Sequence, residues 1–138
     1  TSASAATFTV TNGNDSGAGS LRQAIVDANS AASDDIIEIG FTGTIPLMTG
    51  ELTIDDAAVA GKLTISGPSE ELLVISGNSM SRVFMNNYGA DTTIENVTVA
   101  DGFAEISGGG IYNSGFLELN ESVVRDNVVG NYDCGDPY

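Results

Sequence analysis

The sequence predicts an all-β chain wound as a right-handed parallel β-helix, a solenoid of about three to four coils with an N-terminal strand and a capping α-helix. Three observations predict it. Short β-rich segments recur from residue 36 onward, parted by Gly, Asn, Asp and Ser. No helical pattern interrupts them, although ordinary parallel sheets need helical crossovers. And Thr93-Ile94-Glu95-Asn96-Val97-Thr98-Val99-Ala100-Asp101-Gly102 lines up with Glu118-Leu119-Asn120-Glu121-Ser122-Val123-Val124-Arg125-Asp126-Asn127, 25 positions on. A period in the twenties with three short strands per repeat marks a parallel β-helix.

The elements follow in order. Thr7-Phe8-Thr9-Val10-Thr11 alternates strictly and predicts a strand. Residues 12–19 are rich in turn formers. Ser20 with Gln23 forms a capping-box pattern. Leu21, Ala24, Ile25 and Ala28 then make one apolar helical face. Polar and small residues over 29–35 end that helix. The β segments are 37–41, 45–48, 52–54, 63–65, 72–75, 83–85, 93–99, 110–112, 116–119 and 123–124.

The repeat assigns inward columns. Ile65, Ile94 and Leu119 form one, Ile75, Val99 and Val124 a second, and Phe84 with Ile111 a third. One repeat cannot bury its own inward residues, but layers stacked about 4.8 Å apart can. The coils run over 37–60, 63–89 and 92–115, with a partial one from 116. The chain reads as one domain: residues 1–35 are strand and cap, 36–129 coils, and 130–138 a tail that matches no repeat. An antiparallel sandwich is the structural alternative, since it also has many short strands. It leaves the 25-residue echo unexplained.

Composition narrows the function classes. The 138 residues are 41% hydrophobic, with 17 glycines and three prolines, which suits one folded domain rich in tight turns. Nineteen acids face only Lys62, Arg22, Arg82 and Arg125, for a net charge of −15. Nucleic-acid binding through phosphate neutralisation has no basic surface to use. No apolar run is long enough to insert in a membrane. Such a surplus of carboxylates confers solubility, and also points to divalent cations that screen or bridge them. The small, uncharged start suits a mature N-terminus left by signal cleavage, hence a secreted or cell-surface protein.

Gly17-Ala18-Gly19-Ser20-Leu21-Arg22-Gln23-Ala24-Ile25, after the Thr7–Thr11 strand and before Asp27-Ala28-Asn29, resembles a "GSLRxAI" capping helix. That helix opens large bacterial and archaeal surface β-helix proteins. Asp35-Ile36-Ile37-Glu38-Ile39-Gly40-Phe41 resembles loosely the strand that follows it there. Gly108-Gly109-Gly110-Ile111-Tyr112-Asn113 is similar to their "GGGIYN" repeat, as in polymorphic outer-membrane proteins. The resemblance covers residues 7 to about 129. It implies a prokaryotic surface protein and a parallel β-helix, and is poor evidence for any activity. It departs from the family pattern in having few coils and an unmatched tail.

Candidate sites are few. There is no histidine, which excludes Ser-His-Asp and Cys-His catalysis and His-based zinc sites. The repeat places Asp101 above Asp126, with Glu105 and Asn127 near in sequence. These oxygen donors form a candidate calcium site, and the bland reading is a solvated turn column eased by Arg125. The last coil leaves strand edges unpaired, a template for another chain. Phe8, Val10, Val123, Val124 and the lone Cys134 are candidate assembly residues. The expected partners are further copies, building a fibre or surface layer, or the rest of a larger surface protein. The alternative is a carbohydrate-binding or pectate-lyase-like domain, with a polysaccharide partner met through calcium, Asp101, Asp126 and Arg125. A polyanionic sugar would meet unfavourable charge here.

Overall fold

The computed structural model describes residues 5–130. Fourteen strands and two helices occur there, so strand dominates. Every strand pair is parallel. The fold is therefore all-β and parallel.

The chain opens with β1 (Thr7–Val10) and helix α1 (Leu21–Ser30). It then visits three sheets in a constant order, adding a short fourth strand pair from the third pass on. The first pass is β2 (Asp35–Ile39), β3 (Gly43–Pro46) and β4 (Leu52–Ile54). A single turn of helix, α2 (Ala57–Ala60), leads to the second pass. That pass is β5 (Leu63–Ser66), β6 (Leu73–Ser76) and β7 (Phe84–Asn86). The third is β8 (Asp91–Glu95), β9 (Thr98–Ala100), β10 (Phe103–Ala104) and β11 (Ile111–Asn113). The last described strands are β12 (Phe116–Asn120), β13 (Val123–Arg125) and β14 (Val128–Val129).

The resulting sheets are β1-β2-β5-β8-β12, β13-β9-β6-β3, β11-β7-β4 and the short pair β10-β14. Parallel neighbours need a long connection. Here strands in the other sheets supply it, so long crossover helices are unnecessary.

Register sets the core. Phe8, Ile37, Ile65, Ile94 and Leu119 are paired neighbour to neighbour across the first sheet. Ile45, Ile75, Val99 and Val124 do the same in the second, and Leu52, Phe84 and Ile111 in the third. The three sequence-derived columns thus occur in register. Ile65, Ile94, Ile75, Val99 and Phe84 are fully buried. Each such aliphatic side chain contributes roughly 2 kcal/mol when removed from water. Leu119 is 41% exposed and Val124 47%, and each ends its column among the described residues.

Corners explain one difference from the sequence reading. Residues 93–99 are two strands, β8 and β9, in different sheets. Asn96 lies between them at φ 59°, and Asp101 follows β9 at φ 53°. One pass later Glu121 and Asp126 take φ 46° and 56°. Asn and Asp adopt this left-handed region most readily among residues with a Cβ. Periodicity alone joined what these corners divide. Helix α2 was also unanticipated; Asp56 starts it by accepting the Ala58 N–H at 2.8 Å.

Replacing Ile94 by Asp is expected to abolish folding, because a charge would lie unpaired between Ile65 and Leu119. Ile94→Val is expected to keep the fold at a cost of about 1 kcal/mol. Circular dichroism and urea unfolding read both outcomes.

Candidate functional site

The two ends of the layered body differ, and the difference defines the candidate site. At the N-terminal end, Gln23 N–H donates to Ser20 Oγ at 3.1 Å and starts α1. The expected reciprocal bond of a capping box is absent: Gln23 Nε2 donates to Asp27 Oδ1 instead, and Ser20 N–H to Gly17 O. The apolar face Leu21, Ala24, Ile25 and Ala28 joins the same core as Val10, Ile37 and Ile39. Helix α1 packs against β1, β2, β4 and α2. That end is closed.

An ion pair that motif reading did not single out holds the closure. Arg22 Nε donates to Asp15 O at 3.0 Å, and Nη2 to Asp15 Oδ1 at 3.0 Å. Arg22 also donates to Gly50 O at 2.7 Å and Glu51 O at 3.0 Å. The Asp15 carboxylate accepts Met48 N–H at 2.8 Å and Thr49 Oγ1–H at 2.7 Å. Burial pushes the Asp15 carboxyl up. The bonds from Thr49 and Met48 and the Arg22 guanidinium outweigh it, and hold the group at about 2 against 3.8 ordinarily. The clue in sequence was a cation in the first turn of a helix, where the macrodipole disfavours it.

A second arginine extends the contact. Arg82 Nη1 bonds Glu51 Oε2 at 2.6 Å, while Nε and Nη2 donate to Gly108 O at 2.8 Å and Ser107 O at 2.9 Å. Its guanidinium lies 5.1 Å from the Tyr112 ring centroid.

The opposite end is open. Among the described residues β11, β12, β13 and β14 each have a strand neighbour on one side only. No further described strand pairs with their outer edges. Phe116, Leu119, Val123, Val124, Val128 and Val129 are exposed here. Asn113 closes an amide ladder: Asn86 Nδ2 donates to its Oδ1 at 2.9 Å, and Asn113 itself is exposed. Glu118, Glu121 and Asp126 make this layer acidic, with Arg125 bonded to Asp126 Oδ2 at 2.7 Å.

The sequence-derived assembly residues divide between the ends. Val123 and Val124 lie on the open layer. Phe8 and Val10 lie in β1, a terminal strand with one neighbour, as β12 is. β1 pairs with β2, Val10 is fully buried and Phe8 packs on the core. Cys134 lies outside the described residues.

The candidate calcium ligands are placed as follows. Asp101 and Asp126 are neighbours one residue beyond the Ala100–Arg125 pair. The Asn127 amide is taken up by backbone: Oδ1 accepts Gly102 N–H at 2.7 Å and Nδ2 donates to Val99 O at 3.2 Å. Glu105 is exposed and lines a shallow cleft with Glu51, Arg82 and Phe103. Among the described residues no three Asp, Glu, Cys or His side chains gather as a metal-holding group.

No protein-family model matches the chain, and neither a curated protein nor a solved structure does.

Asp15→Asn is expected to lower stability by about 2 kcal/mol at neutral pH, the scale of a lost charge-assisted network. The folded Asp15 holds its proton less readily than the unfolded one, so its contribution is complete above about pH 4. It is lost as pH falls from about 4 to about 2. Urea unfolding of both proteins across that range should show the gap narrowing toward acid.

Proposed function

We propose that the chain is a right-handed parallel β-helix module of an exported prokaryotic surface protein, with a structural or adhesive role and no catalysis. The observation that carries this reading is the asymmetry of the two ends: α1 covers the apolar columns at one, and among the described residues those at the other stay exposed. The constant visiting order of the sheets supports the helical winding. Right-handedness follows the near-universal hand of parallel crossovers. The resemblance of residues 7–129 to surface β-helix proteins supports the location.

The module joins further polypeptide at its open layer, from another subunit or from the rest of a surface protein. A head-to-tail fibre built from this chain alone would need a second bare end. α1 occupies that position, so copies of this chain alone meet through their exposed layers, and a longer fibre or surface layer needs further polypeptide. Calcium enters as a screen for the acidic layer, not as a catalytic ion.

Two measurements on the full chain test the reading. Light scattering at rising protein concentration is expected to report association that falls when Val123 and Val124 are both changed to Asp. Incubation with polygalacturonate and calcium is expected to release no ultraviolet-absorbing unsaturated sugar. Association untouched by the double change, or release of that product, overturns the reading.

A further inference from the structure

Three Asn-x-Ser/Thr triplets occur in the chain: Asn14-Asp15-Ser16, Asn96-Val97-Thr98 and Asn120-Glu121-Ser122. Such a triplet accepts an N-linked oligosaccharide when it stands on a surface loop of an exported protein. Resting on the exported location proposed above, we propose that Asn14 is an N-glycosylation site and that the fold withholds Asn96 and Asn120.

The reaction sets the geometric demand. Asn Nδ2 attacks the anomeric carbon of an oligosaccharide carried on a polyprenyl pyrophosphate. An N–C bond forms as the C–O bond to the pyrophosphate breaks. The amide gives up one proton and the lipid pyrophosphate leaves, so no oxidant or reductant is needed. A transferase must therefore reach the amide of the first residue and the hydroxyl of the third. The attached sugar is bulky and needs solvent around it.

Asn14 meets that demand. Residues 11–19 carry no helix or strand, and Asn14 and Ser16 are both exposed. Asn12 holds the loop: its Oδ1 accepts Asn14 N–H at 3.1 Å, and its Nδ2 donates to Ala18 O at 3.0 Å. Asp15, between the two reacting positions, is committed to Arg22, Met48 and Thr49. Among the described residues no hydrogen bond engages the Asn14 amide or the Ser16 hydroxyl. A Cβ added at Gly17 would meet nothing within 4 Å, so the space beside Ser16 is open. The acceptor thus stands on a loop anchored through its middle residue, next to the cap.

The other triplets lack one group or both. Asn96 turns the corner between β8 and β9 at φ 59°. A Cβ at Gly67 would collide with Asn96 O, and Asn96 N–H donates to Asn120 O at 3.1 Å, so layers lie on both sides of this corner. Val97 and Thr98 are buried, and the Thr98 hydroxyl donates to Glu70 O at 2.7 Å. Asn120 belongs to β12, and its Nδ2 donates to Glu118 Oε1 at 3.0 Å. The Ser122 hydroxyl donates to Asn120 O at 2.9 Å.

The test uses the folded, unmodified full chain, a purified oligosaccharyltransferase that reads Asn-x-Ser/Thr, and a polyprenyl-pyrophosphate oligosaccharide. Synthetic peptides of residues 11–19, 93–101 and 117–125 serve as unfolded references. Mass spectrometry is expected to show one oligosaccharide per folded chain, on Asn14, added at least tenfold faster than at Asn96 or Asn120. Asn14→Gln and Ser16→Ala should each abolish transfer while circular dichroism stays unchanged. Ser16→Ala leaves the amide in place, so it tests the need for the hydroxyl.

A folded chain that gains no sugar overturns the proposal, and so does a 11–19 peptide that gains none. Transfer to Asn96 or Asn120 within tenfold of Asn14 overturns the selection by the fold. These failures differ from failure of the surface-module reading, which light scattering and the polygalacturonate assay detect on chain that carries no sugar.

Discussion

Everything in the body depends on one constraint: a layer of short parallel strands is dry only when another layer lies on each side of it. A strand of three to five residues holds too few side chains to bury them by itself. Register solves this by placing Ile37, Ile65 and Ile94 in a line. The backbone ladder and the apolar column are thus one arrangement seen twice. Slipping a strand by one residue would turn Ile65 outward and Thr64 inward, which specifies the register strongly.

The same constraint makes the ends different in kind from the middle. At the N-terminal end a helix with one apolar face substitutes for a missing layer, since Leu21 and Ile25 need no strand partner to cover the first column. At the other end nothing described substitutes, and exposure rises along each column toward β12 and β13. Polarity of the module, from closed to open, follows from where the one amphipathic helix stands in the chain.

Much of this was legible in sequence. Ser20 and the Leu21–Ala28 face announced α1, and the 25-residue echo placed Ile94 beside Leu119 and Val99 beside Val124. What periodicity could not show was the turn at Asn96, because left-handed backbone at one Asn leaves no mark on an apolar pattern. It also missed α2, whose four residues are too few for a period. The Asp15–Arg22 pair lay hidden because its other partners, Gly50 and Glu51, arrive through backbone carbonyls, to which sequence is blind. Alternation over Phe8–Val10 says that a strand exists, and could not say that its neighbour is β2. Proximity in sequence also could not reveal that Gly102 and Val99 hold the Asn127 amide.

The two arginine clusters share Glu51, whose carbonyl meets Arg22 and whose carboxylate meets Arg82. Arg82 in turn grips Ser107 and Gly108. A stitch therefore runs down one flank from the cap to the third pass, crossing layers that the ladders join only to their immediate neighbours. Under a pulling force applied at the first strand, such a stitch shares load among several layers at once. Peeling would then proceed by a few large ruptures rather than strand by strand.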